Sequence, residues 1–463
     1  MGRWRSVRPV DGWYRLDGSH RLDGMHRLGG VHRLGGALHF GNWRRAALSI
    51  AALVALAGGV VAVSALVMTA PASSAPAKTV PAPSALTATA YTNGKSSTEE
   101  VENALASIFK SIEGAKFDEA LVKLEALISA RPNYRLAHLI KGDLLMAHAR
   151  PVRAMGAAPN APQERVKDLR EEAIARLKAY RERPPKDQIP RYLLQLRPDQ
   201  KHAVVVDTKK SRLYVYENVG GQPRFVADYY MSHGKLGIDK LREGDQKTPI
   251  GVYHVTASLP KEKLADRYGD AAFPINYPND WDRRLGRSGS GIWLHGTGSE
   301  TFSRAPRSSD GCVTLTNADL ASLRPLIQVG LTPVIISDEV EWLSRDTWNS
   351  ERESLNKAIE QWRRDWEGLN TDAYLTHYDK EFDGDGMNLR QWSERKRQVN
   401  AGKSWVKLSL ANISMFRYPG KNELVVVTFD QDYKSSNLNG TMKKRMYWIK
   451  EGTRWKIVDE GSA

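Results

Sequence analysis

One cysteine, Cys312, stands in a chain of 463 residues. With a single thiol no intramolecular disulfide can close, and no Cys-rich zinc or iron–sulfur site can be built. A lone cysteine ordinarily reads as a small buried apolar residue. In an exported chain, where oxidising surroundings convert free thiols, keeping one calls for a reason. Also missing is a nucleic-acid-binding motif or a basic stripe, although the formal net charge is +15. The excess is concentrated at the start, where residues 1–45 hold nine arginines against three aspartates. The remainder is mildly basic, which suits an anionic polymer or a membrane surface and gives no reason to expect a nucleic-acid partner. The length calls for about two to four domains, and the 41% hydrophobic fraction is enough for real cores.

Charge is absent again from Ala46 to Ala70. That run is long enough for a membrane-spanning helix. Arg44 and Arg45 before it turn its N-terminal side to the cytoplasm. The expectation is a basic cytoplasmic tail over 1–45, a transmembrane anchor over 46–70 and a disordered Ala/Pro/Ser/Thr linker over 71–96. The chain is then inner-membrane anchored with its catalytic part in the periplasm; cleavage between Ala72 and Ala77 is the alternative. The tail repeats a six-residue unit carrying His20, His26 and His32. Its glycines oppose a helix, and a disordered tail is the simpler reading than a metal site.

Residues 97–195 read as helices. Val101, Ala104, Ile108 and Ile112, then Ala120, Leu121, Leu124, Leu127 and Ile128, recur at helical spacing, punctuated by Gly114 and Pro132-Asn133. Ala115 to Ala149 resembles one tetratricopeptide-type repeat, a surface for a protein partner. A charged helix near 163–183 is stopped by Pro184-Pro185. From Ala203 the texture changes to short strands. Val204-Val205-Val206-Asp207 and Arg212 to Tyr216 make a hairpin signal, and the mainly-β region extends over 201–338. Residues 345–463 begin with a helix carrying Trp348, Leu355, Ile359, Trp362 and Trp366 and continue into long strands. That order suggests an α+β cone.

Chemistry concentrates in Ile292-Trp-Leu-His295-Gly-Thr-Gly-Ser and in Ser308-Ser309-Asp310-Gly311-Cys312-Val313-Thr314, whose cysteine lies seventeen residues after the histidine. A thiol attacks well only after losing its proton, and an imidazole in reach can take it. A glycine before the cysteine allows a sharp turn that aims N–H groups at an oxyanion. On these residues alone the segment is a candidate cysteine–histidine enzyme site; a Cys/His pair by itself is not specific.

His-Gly, a loop, then Ser-x-Gly-Cys resembles the L,D-transpeptidase catalytic domain, also called the YkuD-like domain. Glu243-Gly244-Asp245 through Thr248-Pro249-Ile250-Gly251 looks like the Thr-Pro-x-Gly strand of that family, and Val206 to Tyr216 like its opening hairpin. The Glu-Gly-Asp and Ser-x-Gly-Cys forms are most similar to the YafK-like branch. The resemblance implies Cys312 as nucleophile and His295 as its base. It further implies the Gly296 carbonyl orienting the imidazole, Ser309 matching the family serine before the Gly-Cys pair as a catalytic-site residue, and the N–H groups of Gly311 and Cys312 as oxyanion hole. No metal and no cofactor are implied. Asp310 stands where a histidine is frequent, and Thr314 where the family often has an Arg or Asn that holds the donor stem. Arg304 or Arg307 is expected to supply that charge, and Thr314 itself is expected to be a substrate-binding residue. The implied substrate is the tetrapeptide stem of peptidoglycan, attacked in two-step acyl transfer.

Trp362 to Phe382 and the late strands resemble the NTF2-like (SnoaL-like) fold, whose cones often bind ligands. A YkuD-like domain followed by such a cone is similar to L,D-carboxypeptidases that set cell shape. The reading is therefore L,D-transpeptidation, with stem trimming as an alternative. A non-catalytic wall-binding scaffold is a third possibility, which the intact His295 and Cys312 count against. Asp379-Lys-Glu-Phe-Asp383-Gly-Asp385-Gly looks like the start of an EF-hand loop, but Arg390 occupies the position of its bidentate Glu, so no calcium is expected. His233 and His254 read as packing or surface residues, and the three tryptophans as core.

Overall fold

The computed structural model describes residues 96–149, 152, 154–183, 185, 187–420 and 423–463. The expected tail, the anchor over 46–70 and residues 71–95 of the linker lie outside the described residues. Among those described, no helix is long and apolar enough to cross a membrane.

Four helices come first: Ser97–Glu113, Phe117–Ala130, Arg135–Ala147 and Gln163–Arg181. Ser96 caps the first, its hydroxyl accepting from the Glu99 N–H at 3.1 Å. Val101, Leu105, Ile108, Leu124 and Ile140 close a small core. So few helices bury little by themselves, and this module leans on the domain that follows. The N–H and hydroxyl of Thr98 donate to Asp319 at 3.0 and 2.6 Å, and the same hydroxyl accepts from the Tyr230 N–H at 2.9 Å.

The helical region does not reach 195. Gln188–Pro190 pairs antiparallel with Trp342–Ser344, and Leu193–Gln195 joins the edge of the C-terminal sheet. Pro190 cannot sit inside a helix, and Ile189 and Leu194 find apolar partners in the C-terminal core.

The central domain has a five-stranded sheet in the order Gln222–Tyr230, Arg212–Val219, His202–Asp207, Pro333–Ser337, Gly251–His254. Both faces are covered, which is why Val204-Val205-Val206 is apolar without alternation. Val204 and Val206 enter the domain core; Val205 turns to the other face. Behind the first face lies a second sheet, Leu259–Pro260, Ala271–Pro274, Trp293–His295, Val313–Thr314. Its last two strands run parallel, with Leu294 opposite Val313 and His295 opposite Thr314. That register places the loop ending in Cys312 beside the histidine strand.

The C-terminal cone wraps the helix Arg345–Glu367 in a sheet of Leu193–Gln195, Val406–Arg417, Leu424–Ser435, Asn439–Glu451 and Arg454–Ser462. Trp348, Trp362 and Trp366 are buried in its core. Alternation splits the sheet between two cores. Met415, Val425, Val427, Trp448 and Ile457 face the cone, while Phe416, Val426, Tyr447 and Val458 pack with Ala203, Val205, Tyr214 and Ile335 of the central sheet. Each such side chain contributes about 1.5–3 kcal/mol on burial, so the two domains share a core. The acidic loop after Asp379 makes a hairpin, Asp383–Gly384 against Met387–Asn388. Asp385 and Gly386 turn it at φ 51° and 72°, the geometry an Asp-Gly hairpin turn requires.

Candidate active site

The strand Trp293–His295 ends in a glycine that accepts no side chain: a Cβ on Gly296 would lie 1.9 Å from Asn317 Oδ1. The Gly296 carbonyl oxygen lies 2.7 Å from His295 Nδ1. A hydrogen on Nδ1 donating there leaves Nε2 as the basic nitrogen. The edge-on ring of Tyr268 packs against the imidazole at 5.1 Å, and His295 is only 3% exposed. Burial pushes the imidazole down to about 4, the Gly296 carbonyl opposing and the Arg304 charge reinforcing the shift.

The cysteine loop is braced just as locally. Gly311 sits at φ 125°, and a Cβ there would meet the Lys247 carbonyl oxygen at 2.7 Å. The Ser309 hydroxyl donates to the Cys312 carbonyl at 2.6 Å and accepts from the Gly311 N–H at 3.1 Å. This corrects the expected oxyanion hole: the Gly311 N–H is engaged within its own loop. The Cys312 N–H makes no backbone hydrogen bond among the described residues. Thr248, from the Thr-Pro-x-Gly strand, donates to the Gly311 carbonyl at 2.9 Å and accepts from the Gly234 N–H at 2.9 Å, tying that strand to the turn.

The partly exposed Cys312 donates its S–H to the Gly291 carbonyl at 3.4 Å. Burial pushes the thiol up to about 11, with Asp310 adding to the shift and Arg304 opposing it. Asp310 is itself held by Lys235 at 2.9 Å. No hydrogen bond joins the sulfur to the imidazole in this state; His295 Nε2 faces the Thr314 hydroxyl at 3.3 Å. Between these pKa values the resting pair is neutral, an un-ionised thiol and a bare imidazole.

The three residues expected to hold substrate part company. Thr314 is buried against the imidazole and presents nothing to a ligand. Arg307 is turned to the helical module, where Glu171 holds it at 3.1 Å. Arg304 remains, its charge bearing on both Cys312 and His295. Tyr268, Arg267, Thr248 and Asn317 join the site unforeseen as contributors. Of these only Thr248 lay in a recognised motif. His233 is buried with its Nδ1 unpartnered, and His254 sits in the strand Gly251–His254, its backbone paired with Pro333. Among the described residues no group of His, Cys, Asp and Glu is arranged to hold a metal ion.

Residues 201–336 match the L,D-transpeptidase catalytic domain, YkuD, and residues 354–461 match the Cds6 C-terminal NTF2-like domain. Among solved structures the chain is similar to Bd1075 of Bdellovibrio bacteriovorus. The identity is 31%, over 60% of this chain and 98% of that one, with a TM-score of 0.53. It is also similar to the helical cell shape determining protein Pgp2 of Campylobacter jejuni, at 26% identity over 59% of this chain and 95% of that one, with a TM-score of 0.51. No curated protein matches it.

Proposed function

The chain belongs to the L,D-transpeptidase (YkuD) family, with an NTF2-like domain behind the catalytic one, and from that premise we propose that it is an L,D-transpeptidase using Cys312 as nucleophile on peptidoglycan tetrapeptide stems. The observation that carries the reading is the parallel register of the two short strands, which sets the sole cysteine of the chain beside a buried, carbonyl-oriented histidine.

In the proposed step the sulfur attacks the carbonyl of the bond between the L-centre and the terminal D-Ala, and His295 Nε2 takes the thiol proton. The oxyanion is met by the Cys312 N–H. Collapse breaks the C–N bond, His295 returns the proton to the leaving amine of D-Ala, and a thioester stays on Cys312. An acceptor amine then displaces the sulfur and forms a cross-link. We place this chemistry outside the cytoplasmic membrane, tethered by residues 46–70.

Trimming by water in place of the amine is the second reading. The likeness to a cell shape determining protein over 95% of that protein's length favours it. Incubating the chain with purified muropeptides decides. Dimers joined through two diaminopimelates mean transpeptidation; shortened tripeptides alone mean carboxypeptidation. No turnover with retained binding means a scaffold.

A further inference from the structure

Between the helical module and the central domain lies a cleft of about 510 Å³. Arg135 and Arg165 line it from the module, and Arg267 and Arg304 from the central domain. Among the described residues none of these four guanidinium groups has a carboxylate within ion-pair distance. Arg135 reaches only the Glu300 carbonyl at 3.5 Å, Arg267 only the Tyr268 hydroxyl at 3.1 Å, and Arg304 only the Ser308 carbonyl at 2.5 Å. The neighbouring arginines at the same junction are different: Arg176 is held by Glu172 at 2.9 Å and Arg307 by Glu171 at 3.1 Å. Asp168, Glu172 and Glu300 also line the cleft, yet none of the three pairs with any of the four, Glu172 being taken by Arg176. The loops that form this wall are those of the reacting groups. Arg267 lies over the ring of Tyr268 at 4.9 Å, and that ring packs on His295. Ser308, in the wall, leads directly into the Cys312 turn.

Unpaired guanidinium groups along a cleft are a site for an anion with more than one charge, because a planar fork matches a carboxylate. We propose that this cleft seats the carboxylates of the donor stem peptide, so that the helical module supplies part of the substrate-binding surface. Arg304 and Arg267 take the end near the reacting bond, and Arg135 and Arg165 the remote carboxylates. The proposal deepens the transpeptidase reading and rests on it for the identity of the ligand. It also accounts for the missing basic residue two positions after the cysteine, where Thr314 stands.

The test uses the full chain carrying Cys312→Ala, which binds without turning over. Isothermal titration compares a free tetrapeptide stem with the same peptide amidated at its carboxylates, before and after Arg135→Gln and Arg165→Gln. Both arginines are exposed, so the fold is expected to hold, and a thermal melt checks it. The free peptide is expected to bind at least about tenfold more tightly than the amidated one, and the double variant to lose about tenfold. Equal affinity for the two peptides, or an unchanged Kd in the folded double variant, overturns the proposal. Acylation of the unaltered chain by a carbapenem is read separately. Arginine-dependent binding without acylation leaves the cleft standing and removes the nucleophile assignment. Acylation with arginine-independent binding does the reverse.

Discussion

Two buried polar groups in this chain meet the same desolvation and end in opposite states. In the central domain the thiol and imidazole are both driven neutral, because burial outweighs the nearby charges, which form no ion pair with either. In the cone, Glu460 is just as buried, yet its carboxyl stays below the usual range. Burial pushes it up, but Lys444 at 2.6 Å and the charge of Lys396 outweigh that, and the Tyr378 hydroxyl donates to it at 2.7 Å. Lys396 shows the other side of the balance. It lies 4.2 Å from the Trp392 ring and 4.6 Å from that of Trp366, and burial brings its amine down to about 7. Burial thus sets a direction, and the presence of a fixed partner decides whether charge survives it. The Glu460–Lys444 pair keeps its charges because each holds the other; Cys312 and His295, with no such partner, do not.

The comparison breaks most completely if the thiol is not the reacting group. Cys312→Ala is expected to abolish turnover of tetrapeptide muropeptides, a loss of at least about 10³-fold, and to remove the mass adduct left by a carbapenem. A persisting adduct would move the nucleophile elsewhere. The next effect tests the cone. Glu460→Leu leaves Lys444 buried without its partner and should cost about 3–5 kcal/mol in urea denaturation at pH 7. Adding Lys444→Met should recover most of it; additive losses would show that the two are not coupled. The sign with pH follows from the lowered carboxyl. Its stabilisation is complete above the ordinary carboxylate range and disappears as pH falls through the depressed folded value. For Lys396 the folded value is about 7. The unfolded chain therefore binds the extra proton above that pH, and stability gains as pH rises from 7 toward 10. Any advantage of Lys396→Met should shrink over the same range.

The cysteine–histidine segment was legible as a candidate site because chemistry restricts residue type and a single thiol leaves one choice, and the family match spans both residues. The strands were legible where patterning reports burial, as in the unbroken valines at 204–206, whose run follows from cover on both faces. Other features lay beyond local pattern. Thr98 and Asp319 meet across 221 positions of chain, and nothing near either announces the other. Leu193–Gln195 was read with the helices because three residues carry no period, and only the cone's open edge makes them a strand. The Gly311 N–H was misassigned for a different reason. Spacing shows a glycine able to turn, but not that the Ser309 hydroxyl will already hold the N–H the turn exposes. Tyr268 and Arg267 reach the histidine from a short 3-10 turn, Asp266–Tyr268, whose sequence has no motif.

The neutrality of the resting pair gives an effect of about a hundredfold. Only thiolate reacts with iodoacetamide at an appreciable rate. With the thiol at about 11, alkylation of Cys312 should rise about tenfold per pH unit, hence about hundredfold from pH 7 to 9. A plateau beginning near pH 6 would mean a preformed thiolate–imidazolium pair and would erase the contrast with the cone. The smallest effect concerns the one hydroxyl on the base. Thr314→Val keeps the shape and removes the group facing Nε2 at 3.3 Å. A neutral hydrogen bond contributes about 1 kcal/mol, so kcat/KM should fall less than tenfold, and Thr314→Ser should restore it. A hydroxyl donating to Nε2 favours the neutral ring, so its loss should also move the acid limb, where protonation of His295 near 4 ends activity, to higher pH. A loss above about hundredfold would make Thr314 part of the proton's route, whereas an unmoved limb would reduce it to packing.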